Sequence, residues 1–216
     1  MRVSYEMTGN PTIPAIVHRG EYSTPVWLQQ CWEDGEFAVY IRNNGCGHCC
    51  TAMAANLHGV KITPYEEYLH CREIWGPPKG PQYHFMSLPG IQKVLASLGI
   101  PSEIYGVKTG EGAKAAAHIM QALREEKMVI MVSEPSDRLP NNPFSTGLHY
   151  VLCVGLTDDG KIIIANSSKR ATDKGVQVET EATVAAALYE NCEPGGGMTW
   201  GEMERFFYGC GYVVIG

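Results

Sequence analysis

The chain has 216 residues, 44% of them apolar and 19% charged, with 17 Lys and Arg against 23 Asp and Glu for a formal net charge of −6. That is core enough for one globular domain, neither disordered nor fibrous, and no stretch gathers the five or six basic residues of a nucleic-acid or anionic-lipid footprint. The longest apolar runs, such as Met128–Val132 and Tyr150–Leu156, are far too short to span a bilayer.

Met1–Asn10 carries Arg2 and Glu6 with no apolar core behind them, so the sequence as given reads as cytoplasmic, or as secreted if a leader was trimmed away. Residues 1–20 show no clear period and contain Pro11 and Pro14, which predicts an extended lead-in. Val26–Gln30 has strand character, and Trp32–Tyr40 continues irregularly. From Cys46 the text becomes Ala-rich and free of Gly and Pro from Cys49 up to Gly59, a helix with its stop. Thr63-Pro64-Tyr65-Glu66 sets an N-cap, a first-turn Pro and a capping-box Glu in order, opening a second helix to about Cys71. After a loop with Pro77, Pro78, Gly80 and Pro81, Leu88–Leu98 reads as a third helix ended by Gly99.

Further on, Ser102–Val107 predicts a strand, Gly112–Glu126 a helix and Met128–Ser133 a buried strand. His149–Leu156 and Lys161–Asn166 are two strands joined by Thr157-Asp158-Asp159-Gly160, where Asp-Gly between apolar runs signals a hairpin. Thr199–Phe207 reads as a short helix and Gly211–Ile215 as a closing strand. Helices first and an antiparallel meander after is an α+β order, in one domain over residues 1–216.

Eight cysteines are unevenly placed: Cys46, Cys49 and Cys50 crowd together, while Cys31, Cys71, Cys153, Cys192 and Cys210 are scattered. Disulfide frameworks belong to short secreted chains, so reduced thiols are expected. Cys46 lies between Gly45 and Gly47 at a helix start, where little bulk surrounds the sulfur and the dipole favours an anion. A lone cysteine there is an ordinary core residue. His149 opens a strand after the loop Glu134–Gly147, which predicts a ring at a sheet edge beside an open surface. Asn166, seventeen residues on, falls close to directly opposite His149 if the hairpin turns at Asp158–Gly160. A side-chain amide beside an imidazole fixes its ring and tautomer, as a thiolate–imidazolium pair requires.

Gly45-Cys46-Gly47 opening an Ala-rich helix, an apolar strand beginning with a His, an Asp-Gly turn and a strand ending in Asn together resemble the papain-like cysteine peptidases. The resemblance is to the stand-alone bacterial branch related to the bacteriocin-processing peptidases, which cleave after double-glycine leaders. It runs from about Tyr22 to the end, including the helix near Ser87–Gly99 and the segment Trp200–Ile215. It implies a papain-like fold with helices packed on a C-terminal antiparallel sheet. It also implies Cys46 as nucleophile, His149 as general base and acid and Asn166 as orienting group. The family's oxyanion Gln falls on Val26–Gln30, as Gln30 by alternation, with Gln29 nearly as good. The chain departs from the family where Pro and Ser or Thr usually follow Gly47, having His48-Cys49-Cys50 instead, and where Asp-Pro becomes Asn166-Ser167.

The expected function is therefore a thiol-dependent hydrolase that cleaves an amide or peptide bond through a thioester. It needs no cofactor and no metal, and its partner is a peptide or protein substrate. Two readings of the same fold compete: a catalytically idle binding module, and an acyltransferase using the same acyl-enzyme. A third comes from the departures, since Cys46, His48, Cys49, Cys50 and His58 offer zinc-type ligands and the Cys-x-x-Cys spacing of redox motifs. A structural zinc site normally wants a second ligand pair, which places it below the hydrolase.

Overall fold

The computed structural model describes residues 1–75, 87–133, 139, 141–172, 174–190 and 211–216. Its elements run β1 (Val3–Met7), β2 (Ala15–Arg19), β3 (Tyr22–Val26), α1 (Ala38–Asn44), α2 (Cys46–Asn56), α3 (Pro64–Trp75) and α4 (Leu88–Ser97). Then come β4 (Ser102–Gly106), α5 (Gly112–Arg124), β5 (Met128–Ser133), β6 (His149–Leu156), β7 (Ile162–Ala165), β8 (Val176–Glu179), α6 (Glu181–Ala187) and β9 (Gly211–Ile215). The fold is α+β. A six-stranded sheet in the order β4-β9-β5-β6-β7-β8, antiparallel throughout, carries helices on both faces.

Alternation along the central strands sorts the core into two layers. Met128, Ile130, Val132, Tyr150, Leu152 and Val154 join α1–α4 on one face, while Val129, Met131, Val151 and Cys153 join α5 and α6 on the other. Both faces being covered explains why β5 is buried at all six residues and reads as an unbroken apolar run. Helix boundaries follow the chemistry of their caps. At α3 the Glu66 amide donates to Thr63 Oγ1 (3.2 Å), and Glu66 Oε2 accepts the Thr63 amide (2.7 Å), the reciprocal capping box. At α4 the Ser87 hydroxyl accepts from the Gly90 amide at 3.1 Å.

Several expectations need correcting. The lead-in is paired: β1, β2 and β3 form a separate antiparallel sheet, with Ala15 and Val17 fully buried. The strand expected over Val26–Gln30 ends at Val26, and Gln29–Cys31 turns into a 3₁₀ helix, because the chain must swing towards α1. The irregular stretch after Trp32 contains α1, and two further elements, β8 and α6, follow the hairpin. The expected helix at Thr199–Phe207, the Gly195–Gly197 patch, Cys192 and Cys210 lie outside the described residues. Cys31, Cys46, Cys49, Cys50, Cys71 and Cys153 are free thiols. Among the described residues no helix is long and apolar enough to cross a membrane.

Candidate active site

Helix α2 presents Cys46 as its first residue, with Gly45 as the joint between α1 and α2. A Cβ on Gly45 would stand 2.3 Å from the Ile41 carbonyl oxygen, so glycine is required there by close approach, its φ being an ordinary −81°. The rest of α2 is sunk in the core, and only the end bearing Cys46 is half-buried. The Cys46 sulfur accepts a backbone hydrogen bond from Tyr150, the residue after His149. The thiol therefore meets β6 at the strand's first peptide.

His149 is the first residue of β6 and is 3% exposed, buried where an open edge was expected. Its Nε2 lies 2.9 Å from Asn166 Oδ1. Asn166 Nδ2 donates to the Phe144 carbonyl (3.0 Å) and to Gln177 Oε1 (2.6 Å), while Oδ1 also accepts the Ser168 amide (2.9 Å). These contacts fix the amide orientation. With Oδ1 able only to accept, His149 carries its proton on Nε2 and turns Nδ1 into the acceptor.

His149 and Asn166 are not directly opposite. The ladder pairs Leu152 with Ala165, and its register shifts at a bulge between Cys153 and Gly155. Asn166, one residue beyond β7, is thus a diagonal neighbour of His149, a separation that long side chains bridge. Spacing alone could locate the pair but not the bulge.

Burial dominates the electrostatics. It pushes the His149 imidazole down to about 4, against the opposing hydrogen bond to Asn166. It raises the Cys46 thiol above its ordinary value, opposed by hydrogen bonds from the backbone of Tyr150 and Gly47. Burial thus favours the neutral form of both groups, the Cys46 thiol and the His149 imidazole. Cys49 and Cys50, deeper in α2, are pushed much higher by the same desolvation.

The two glutamines diverge. Gln30 Oε1 accepts the Lys169 amide at 2.9 Å, at an exposed position. Gln29 is buried, its backbone N–H donating to the Ser167 carbonyl (2.9 Å) and its side-chain Oε1 accepting from the Ser167 hydroxyl (3.4 Å). Ser167 also hydrogen-bonds Cys49, one turn along α2 from Cys46. Gln29 is thus linked through Ser167 to α2, and the strand alternation expected over Val26–Gln30 does not apply at Gln29 and Gln30, where the backbone is not a strand. Gln177 and the Phe144 carbonyl, which hold Asn166, were missed by sequence reasoning; the alternating Val176-Gln177-Val178 was the only signal.

The five zinc-type residues around Cys46 do not converge. His58 Nδ1 contacts the Ala54 carbonyl (3.1 Å), and His48 points away from Cys46 towards α3. Among the described residues, the group whose ligand atoms lie within 4.8 Å of one another is His48, Glu67 and Cys71.

No family model and no curated protein matches this chain. Among solved structures, it is similar to the peptidase domain of Streptococcus ComA, a bi-functional ABC transporter involved in a quorum-sensing pathway. The two share 11% sequence identity over 80% of this chain and 90% of that one, with a TM-score of 0.45. A likeness of that size carries no argument about chemistry, which rests on the side chains above.

Proposed function

We propose that the protein is a papain-like cysteine hydrolase, a peptidase whose centre is Cys46, His149 and Asn166. The observation that carries this reading is the convergence of a helix-opening thiol on the first peptide of β6, where a buried His is held by an Asn through Nε2. Nδ1 of His149 takes the proton from Cys46 as the sulfur attacks the substrate carbonyl. The tetrahedral oxyanion is stabilised by backbone N–H groups at the helix start and by a Gln amide, Gln29 rather than Gln30. As the tetrahedral adduct collapses, His149 returns the proton to the leaving amine, and a thioester remains on Cys46. Water, deprotonated by His149, then releases the acid. No metal or organic cofactor enters these steps, and the partner is a peptide or protein with an accessible amide.

The test is labelling by an irreversible thiol-directed peptidase inhibitor, with the modified residue mapped by mass spectrometry, followed by a screen of amide substrates. Selective modification of Cys46 together with Cys46-dependent cleavage supports the hydrolase. Selective modification without cleavage, but with acyl transfer to an added amine, points to the transferase. Indiscriminate labelling of the cysteines points to a binding module and ends the proposal.

A further inference from the structure

Helices α2 and α3 bury three polar side chains against one another. Glu67 and Cys71 stand four residues apart on α3, so they share one face, and His48 of α2 meets them there. His48 is 1% exposed, Glu67 2% and Cys71 fully buried. Cys71 Sγ lies 3.2 Å from Glu67 Oε1 and 4.0 Å from His48 Nδ1, and His48 Nδ1 is in direct contact with Glu67 Oε2. Tyr68 and Tyr40 close the surroundings, their ring centroids 5.2 and 5.7 Å from the imidazole. The mechanism above uses none of these three residues.

We infer that His48, Glu67 and Cys71 form a buried transition-metal site, with zinc the ion it fits. One imidazole, one carboxylate and one thiolate are the ligand types that zinc combines, whereas magnesium and calcium want oxygen alone. Tetrahedral bonds of about 2.0 Å to N or O and about 2.3 Å to S place ligand atoms roughly 3.3–3.5 Å apart. The two sulfur separations, 3.2 Å to Glu67 Oε1 and 4.0 Å to His48 Nδ1, lie within about 0.5 Å of that edge, and the direct His48–Glu67 contact must open to reach it. Charge balances as well. Binding releases the Cys71 thiol proton to solvent, and the resulting thiolate together with the Glu67 carboxylate offsets the charge of the dication. Three protein ligands leave the fourth position to a water. The bound ion would cross-link the nucleophile's helix to α3, and the inference stands whether or not the protein is a hydrolase.

The probes are Zn²⁺ and Co²⁺ on the full chain. After loading and desalting, elemental analysis should find about one equivalent retained, and the cobalt form should show a thiolate-to-cobalt charge-transfer band with tetrahedral d–d absorption. Cys71→Ser should lose the charge-transfer band. The combined variant Cys46→Ala, Cys49→Ala, Cys50→Ala should keep it, and this second protein decides the matter if Cys71→Ser fails to fold. Zinc should raise the unfolding temperature of the chelator-treated wild type and of the triple variant alike. Retention far below one equivalent, a band that survives Cys71→Ser, or a band lost from the folded triple variant would each overturn the inference.

Discussion

Replacing His149 with Gln tests how deeply the site is buried, independently of any substrate. An imidazole held at about 4 in the folded chain titrates near 6.5 once unfolded. Its folded value is depressed, so between these two values the unfolded chain binds a proton that the folded chain refuses. Stability therefore falls as pH drops from about 6.5 towards 4, and the loss is complete below both values. A gap of about 2.5 units corresponds to roughly 3 kcal/mol at full extent, and about 2.5 kcal/mol of it is reached at pH 4.5. Gln can still hydrogen-bond Asn166 but cannot titrate. Urea unfolding of wild type and His149→Gln at pH 7.5 and pH 4.5 isolates the contribution as a difference of differences. Other groups, including His58, which burial also depresses, contribute to both proteins and cancel. The variant should lose about 2–3 kcal/mol less than wild type on acidification. Equal losses, with both proteins native by near-UV circular dichroism at pH 7.5, would refute the buried neutral imidazole.

Four further outcomes are expected. Cys46→Ala should abolish covalent labelling and hydrolysis, and His149→Ala should come close to it, as measured by turnover of an amide substrate. Gln29→Ala should lower turnover by on the order of a hundredfold while Gln30→Ala costs little, the reverse ordering disproving the oxyanion assignment. Asn166→Ala strips partners from His149, Phe144, Ser168 and Gln177 and should cost about 2–4 kcal/mol in chemical denaturation, with a milder loss of turnover than Cys46→Ala. Asn166→Asp keeps the acceptor for His149 but sets oxygen against the Phe144 carbonyl, so activity should persist in a protein less stable by about 1–3 kcal/mol; a folded, dead variant would contradict this.

The sequence carried the α2, α3 and α4 helices and the β6–β7 hairpin because their ends are written in local chemistry: Thr63 with Glu66, Ser87, and Gly160 at φ +79°. It also carried the positions of the candidate residues, Cys46 opening α2, His149 opening β6 and Asn166 just past β7, and the neighbourhood of His149 and Asn166. β1 escaped notice although Val3, Tyr5 and Met7 alternate with Ser4 and Glu6, because the run is only five residues long and four of them are exposed, so no buried face backs the pattern. α1 is seven residues long with no side-chain cap, so pattern had little to grip. The strand over Val26–Gln30 was misjudged for a related reason: alternation presumes a strand, and the backbone at Gln29 turns instead. The meeting of His48 with Glu67 and Cys71 is a contact between two helices, which no spacing along either one contains.

The β6–β7 hairpin has its two ends in very different circumstances. His149 and Asn166 occupy the buried end, while the turn Thr157–Gly160 stands at the other, with Asp158 and Asp159 exposed and a Thr157–Lys161 backbone bond closing it. Eight strand residues at about 3.3 Å each separate them by roughly 25 Å. A fluorophore or affinity handle installed at Asp158 would thus ride on a rigid arm anchored in the same strand as the imidazole. Such an arm offers a reporter or immobilisation point that leaves the thiol's approach unobstructed.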